Sequence, residues 1–274
     1  MTVSVQGHYG SSGIVARILE AIPWSRDDGT VLTAPQIFPY DQLHGRELLA
    51  TQDHAAQLNP KPGAHLLDIG SGIGGPARYF ADKFGCRVTG IDLTPDFVAA
   101  AKDLSKLCNL DHLLTFVEAD AAVIPFDADT FDHAYSFYVG MNLADKPAVM
   151  RECFRVLKPD GTLLWTEVTE TTPGAIFPLP WARNLSSSHV QYKDVLINTL
   201  TDAGFEIMDI EDETSAHLEL ARRIKISGKV LSVEHEQANE IVLGADFALR
   251  RKNYIQSLAE GYIESTLIVA RKPA

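Results

Sequence analysis

The chain has 274 residues, 46% of them hydrophobic and 22% charged, which is enough to bury a large core without metal or disulfide staples. Lys and Arg number 24 against 36 Asp and Glu, so the formal net charge of −12 repels polyanions, and the expectation is no nucleic-acid partner and no membrane partner. Cys86, Cys108 and Cys153 lack metal-ligand spacing, the first residues lack a signal-peptide pattern, and no run reaches the about 18 apolar residues of a membrane span, so a metal-free cytoplasmic protein with reduced thiols is expected.

Residues 14–22 carry apolar positions at helical spacing, ended by Pro23. A loop rich in Asp, Gly, Thr and Pro is expected to about Pro39, then a helix over 46–58 closed by Asn59-Pro60-Lys61-Pro62-Gly63. From there short apolar runs alternate with helical stretches. Strands are expected at 65–69, 87–92, 114–120, 131–137, 162–168, 205–210 and 264–271. Helices are expected at 75–84, 95–108, 146–157 and 190–203, with a long helical region over 234–259.

This alternation predicts an α/β fold: a Rossmann-like, seven-stranded, mostly parallel sheet with helices on both faces. Residues 1–60 and two insertions, at about 169–189 and 214–260, do not fit the alternation. They are expected to form a helical cap on a main domain spanning 61–274, over the strand ends where such sheets bind ligands.

The strongest local signal is Asp68-Ile69-Gly70-Ser71-Gly72-Ile73-Gly74-Gly75, glycines at a strand-to-helix turn that let a ligand approach the backbone. Gly70, Gly72 and Gly75 also satisfy G-x-G-x-x-G, so a nicotinamide dinucleotide competes. Three acidic residues bear on the choice. Asp68 precedes the glycines, where a carboxylate repels a pyrophosphate but suits an ammonium group. Asp92 ends the second strand, where it can take both ribose hydroxyls, and Asp120 ends the third, beside an exocyclic amine of adenine. Together they describe a cationic, ribose- and adenine-bearing ligand, which S-adenosylmethionine fits better than NAD. Read singly, the glycines are a tight turn and Asp92 and Asp120 are helix caps.

Residues 64–168 resemble a class I S-adenosylmethionine-dependent methyltransferase. The glycine segment carries the likeness, with Gly90-Ile91-Asp92-Leu93, Glu118-Ala119-Asp120-Ala121, Ile124-Pro125-Phe126, Phe131-Asp132 and Arg155-Val156-Leu157-Lys158-Pro159-Asp160-Gly161. That resemblance implies an antiparallel last strand. It implies that Asp68, Gly70, Ser71, Gly72, Asp92, Leu93, Asp120, Ala121, Phe137 and Gln42 hold the cofactor, S-adenosyl-L-methionine. A narrower likeness over most of residues 7–214 rests on Phe38-Pro39-Tyr40-Asp41-Gln42-Leu43-His44-Gly45, Val139-Gly140-Met141-Asn142-Leu143-Ala144-Asp145-Lys146 and Phe177-Pro178-Leu179-Pro180-Trp181-Ala182. It is to small-molecule methyltransferases grouped with sarcosine/dimethylglycine N-methyltransferases. Two departures stand out: Phe137-Tyr138 replaces a Gln-His pair, and Asp160 replaces a glycine.

The expected reaction is direct displacement, with a nitrogen or oxygen of a small-molecule acceptor attacking the methyl carbon. Tyr138 and His44 are the catalytic candidates, each with an ordinary structural reading beside it. Tyr9, Tyr40, Met141, Asn142, Phe177 and Trp181 are the candidates for acceptor contacts, the aromatics suiting a cationic or planar molecule. Asn142 alternatively caps the next helix, and Arg222, Arg223 and Lys225 beside Glu219 read as a solvated helix face. A non-catalytic cofactor-binding protein is the remaining alternative. The oligomeric state is open, a homodimer among the options.

Overall fold

A computed structural model describes residues 13–25, 29–227 and 239–274. Nine helices are used below: α1 (Ile14–Ala21), α2 (Ala34–Asp41), α3 (Glu47–Leu58), α4 (Gly75–Phe84), α5 (Pro95–Leu107), α6 (Lys146–Val156), α7 (Lys193–Asp202), α8 (Thr214–Ser227) and α9 (Phe247–Ala259). The strands are β1 (His65–Ile69), β2 (Arg87–Asp92), β3 (Leu114–Glu118), β4 (Phe131–Phe137), β5 (Leu157–Glu170), β6 (Glu206–Asp212) and β7 (Ile263–Arg271). They form one seven-stranded sheet in the order β3-β2-β1-β4-β5-β7-β6. Neighbours from β3 through β5 run parallel, and β7 runs antiparallel to both β5 and β6. This is the mostly parallel Rossmann-like arrangement that the alternating pattern predicts.

The central strands are apolar because helices cover both faces. Leu66 and Tyr135 join one buried cluster with the helices α1, α2, α4 and α5. Leu67, Ile69, Ala134 and Trp165 join a second, on the face covered by α6 and α7. A third, smaller cluster joins Met141, Val168, Leu179, Trp181, Tyr254, Leu258 and Ile263, and fastens α9 and the segment around residue 180 to the strand ends.

Three local expectations change. The stretch expected to be loop to Pro39 contains α2. Its prolines act as helix-start signals: Pro35 stands in the first turn, where a missing N–H costs nothing, and the Gln36 side chain accepts from the Thr33 amide at 2.9 Å. The long helical region is interrupted at Gly244 (φ 96°), and α9 starts at Phe247; residues 228–238 lie outside the described residues. Strand β5 starts at Leu157, directly after α6, and absorbs the expected turn. Asp160 takes φ 62° there, a conformation glycine adopts more readily.

One buried ion pair bears on the ligand end of the sheet. Arg78 of α4 donates to Asp41 Oδ2 of α2 from Nη2 at 2.9 Å and Nε at 3.1 Å, and Nη2 also reaches the Ile73 carbonyl at 2.6 Å. Both side chains are fully buried. The pair pins α2 behind the glycine turn, so closely that a Cβ on Gly75 would lie 2.1 Å from the Asp41 carbonyl oxygen.

Candidate active site

A cavity of about 460 Å3 opens at the C-terminal ends of β1, β2 and β4. It gathers most of the predicted site: His44, Asp68, Gly70, Ser71, Gly72, Asp92, Leu93, Asp120, Ala121, Phe137, Tyr138, Met141, Asn142 and Trp181 all line it. Their common position follows from topology. In a parallel sheet the strand ends and the turns after them meet along one edge.

Asp68 sits beside Gly90 of β2 and Tyr135 of β4 in the sheet register. It is buried, and its Oδ2 has no hydrogen-bond partner among the described residues. Burial raises its carboxyl to about 8 against the opposing influence of the Tyr135 hydroxyl nearby, and the Asp92 charge adds to the rise. A buried acidic oxygen without a partner on a cavity wall is a site for an incoming cation.

The glycine turn is held from inside. The amides of Gly70 and Ser71 both donate to the Ile91 carbonyl at 2.9 Å, and the Gly74 amide donates to the Ser71 carbonyl at 2.9 Å. The Gly72 amide donates to Asp92 Oδ2 at 2.8 Å, while Asp92 Oδ1 accepts from the Thr94 amide at 2.8 Å. Asp92 therefore ties the turn to the start of α5 and also faces the cavity. Gly70 (φ 72°) is pressed against Val139, whose side chain would lie 2.4 Å from an added Cβ. Above Gly72 (φ 53°) an added Cβ meets nothing within 4 Å, so a ligand can lie on its backbone. Asp120 is exposed, and its Oδ1 accepts from the Ala122 amide at 2.8 Å.

The side of the cavity around Tyr138 is richer in polar groups than the sequence suggested. Tyr138 follows β4 with φ 59°, a left-handed conformation that costs a tyrosine on the order of 1 kcal/mol or more. Its hydroxyl lies 2.7 Å from His217 Nε2, 2.7 Å from Ser265 Oγ and 3.5 Å from Glu213 Oε2. Burial, with Tyr254 and Glu213 close by, keeps the phenol protonated. His217 Nδ1 lies 3.3 Å from the Tyr254 hydroxyl, and burial lowers the ring to about 3. Glu213 Oε1 accepts from Arg46 at 3.0 Å and from His54 at 2.9 Å. Arg46, His217 and Tyr254 all line the cavity.

His44 is held on both nitrogens, Nδ1 at 3.2 Å from the Gly45 carbonyl and Nε2 at 3.0 Å from Thr51 Oγ1. Burial lowers it to about 4, so the ring is neutral. It stacks parallel to Tyr138 at 6.1 Å and meets Phe137 edge-on at 5.4 Å. That is the structural histidine of its alternative reading, presenting a ring face to the cavity.

Several predicted contacts lie elsewhere. Tyr40 is buried among the helices α1, α2 and α4, its hydroxyl donating to the Ala21 carbonyl at 3.1 Å, and it does not line the cavity. Gln42 is buried behind the glycine turn, donating to Asp41 at 2.7 Å and accepting from Thr51 at 2.6 Å, and it also stays off the cavity wall. Phe177 packs on the third cluster outside the lining, and Tyr9 lies outside the described residues. Trp181 does reach the wall, donating to Ser188 Oγ at 3.0 Å. Asn142 lies in a single helical turn, and the cap of α6 is instead Asp145, which accepts from the Ala148 amide at 3.0 Å. Arg222 and Arg223 are exposed and bond Glu219, as a solvated face should. Sequence reading missed His217, Tyr254, Arg46 and Glu213. No local motif marks them; they converge from three separate segments, Arg46 before α3, Glu213 and His217 at the start of α8, and Tyr254 on α9.

Comparison with known proteins fits this geometry. A family model described as a methyltransferase domain matches residues 67–165. Phosphoethanolamine N-methyltransferase 1 of Arabidopsis thaliana is 30% identical over 197 residues, covering 68% of this chain and 39% of that protein. The sarcosine/dimethylglycine N-methyltransferase of Halorhodospira halochloris is 31% identical over 159 residues, covering 56% and 55%. The chain thus spans well under two thirds of either relative. Among solved structures, the [4+2]-cyclase SpnF aligns with a TM-score of 0.66 at 25% identity, covering 89% of this chain and 98% of that one. Residues 67–165 thus match a methyltransferase domain, and the chain is similar to small-molecule N-methyltransferases over part of their length.

Proposed function

We propose that this protein transfers a methyl group from S-adenosylmethionine to a nitrogen or oxygen of a small-molecule acceptor. The carrying observation is the Asp68 carboxyl group: buried, unpartnered at Oδ2 among the described residues, and lining a cavity that Asp92 and Asp120 also line. The donor set fits the cofactor. Asp68 suits its ammonium group, the open backbone of Gly72 suits close approach, and Asp92 and Asp120 suit ribose and adenine.

When bound, the sulfonium supplies an activated methyl carbon, and this chain's residues supply alignment, which can be worth ~7–11 kcal/mol of the barrier. Phe137 and Val139 wall the end of β4, and Tyr138, His217 and Tyr254 form a neutral, hydrogen-bonded surface opposite the glycine turn. Neither neutral histidine of this wall is an efficient base near pH 7, which favours an acceptor that arrives as a neutral amine. On this reading the described residues of the segments 41–47, 180–181 and 217–255 that line the cavity enclose the acceptor.

A dinucleotide is disfavoured. The turn amides that would cradle a pyrophosphate are donated inside the protein, and Asp68 offers it no counter-charge. Calorimetric titration with S-adenosylmethionine, S-adenosylhomocysteine and NAD tests the cofactor, and labelled methyl transfer to a panel of amines, phenols and alcohols tests the reaction. Binding of NAD in preference to S-adenosylhomocysteine would refute the proposal. Cofactor binding with no transfer to any acceptor would favour a non-catalytic binding protein.

A further inference from the structure

Helix α9 turns Phe247, Arg251, Tyr254 and Ile255 onto the cavity wall, beside Leu220, Leu243 and Trp181. The stripe has helical spacing and is apolar apart from one guanidinium and the Tyr254 hydroxyl. Among the described residues that line the cavity, the arginines are Arg46 and Arg251. Arg46 is neutralised by Glu213 and Asp53. Arg251 is half-buried and has neither hydrogen bond nor ion pair among the described residues. The nearest acid at the start of its helix, Asp246, is engaged by Arg183 and Arg250.

We infer that Arg251 holds an anionic group of the acceptor, a carboxylate or a phosphate ester on an otherwise apolar body. The inference rests on the methyl-transfer reading of the cavity and names the class of molecule that fits it. A guanidinium on an apolar wall leaves its charge uncompensated, and an oxyanion brought by a ligand completes it with paired hydrogen bonds. The surroundings act in the same direction. Arg251 also borders an adjoining groove lined by Lys225 and Lys252, with Arg222 engaged by Glu219 and Glu240 as the groove's acid. In a chain of net charge −12, this is, among the described residues, a locally positive approach to the cavity. Arg222 and Arg223 of α8, which do not line the cavity, are paired with Glu219, whereas Arg251 of α9, which does, is unpaired among the described residues.

Four probes of one length separate charge from apolar contact: octanoate, octyl phosphate, octanol and octylamine, each titrated into protein saturated with S-adenosylhomocysteine. The wild-type protein should bind at least one of the two anions about tenfold tighter than octanol, with octylamine weakest. Preference for octanoate or for octyl phosphate identifies which anion the site takes, and either supports the assignment. Arg251→Met should lose that preference while keeping the wild-type affinity for S-adenosylhomocysteine, and Arg251→Lys should retain part of it. Equal binding of octanol and both anions, no binding of any probe, or an unchanged preference in Arg251→Met would overturn the assignment. The wild-type ranking stands even if a variant fails to fold. Absence of S-adenosylhomocysteine binding would instead overturn the methyl-transfer reading, so the two failures are distinguishable.

Discussion

The Tyr138 hydroxyl lies 2.7 Å from His217 Nε2, joining the end of β4 to helix α8 across 79 residues of sequence. The bond joins two residues of the cavity wall, and Ser265 of β7 and Tyr254 of α9 extend it. Tyr138→Phe removes the shared hydroxyl and strands partners on His217 and Ser265. Turnover should fall by about tenfold or more, and stability by about 1–3 kcal/mol, the cost of buried groups left unpaired. Affinity for S-adenosylhomocysteine should change little, because Tyr138 faces the acceptor. Equal losses in kcat and in cofactor affinity would move Tyr138 to the cofactor side.

Asp92 has a double task. It accepts from the Gly72 and Thr94 amides and also lines the cavity. Asp92→Ala should weaken cofactor binding by more than about tenfold through lost charge-assisted hydrogen bonds, and should lower the melting temperature of the cofactor-free protein as well. An unchanged dissociation constant would show that the ribose sits elsewhere.

Much of this was legible because it is local. Strand β1, the glycine turn and the acid at the end of β2 follow one another within the 28 residues from His65 through Asp92, and each has its own pattern. Helix α2 was hidden because Pro35 and Pro39 read as loop signals, although Pro35 stands where helices begin. Tyr40 and Phe177 show a different limit. An aromatic residue near a site motif packs as readily behind the site as inside it, and side-chain direction is decided by neighbours far away in sequence. Nothing near His217 in sequence announces Tyr138 or Tyr254, its partners in the fold.

Asp68 should set a pH dependence of stability with a defined sign. Burial raises its carboxyl from 3.8 to about 8, so the folded, cofactor-free protein keeps a proton that the unfolded chain releases. Its contribution is present at the acid side of that window and is lost as pH rises toward 8. Asp68→Asn should therefore raise the melting temperature of the cofactor-free protein at pH 8 and leave it nearly unchanged at pH 4. The same change should weaken S-adenosylmethionine binding by more than about tenfold, since the ammonium loses its counter-charge. A melting temperature that falls at pH 8 would mean that the carboxylate is already paired.

The two cavity histidines act in the opposite direction. Burial lowers His44 from 6.5 to about 4 and His217 to about 3, so unfolding takes up protons between the folded values and 6.5. Stability from these rings is complete above pH 6.5 and is lost as pH falls. The pH profile of kcat should contain no break near 6.5 from either ring. A break that disappears in His217→Gln would make His217 a titrating base.

Two glycines of one turn should fail in different ways. A Cβ on Gly70 would lie 2.4 Å from the Val139 side chain, whereas a Cβ on Gly72 meets open cavity. Both residues have positive φ, so alanine costs each on the order of 1 kcal/mol in backbone strain. Gly70→Ala adds a clash with the strand-end wall, and its melting temperature should fall further. Gly72→Ala should fold with a smaller loss of stability, but its methyl group stands where the cofactor is expected to lie on the backbone. Its S-adenosylhomocysteine affinity should drop by about tenfold or more while its unfolding remains cooperative. If Gly72→Ala binds the cofactor as tightly as the wild type, the ligand does not lie over this turn.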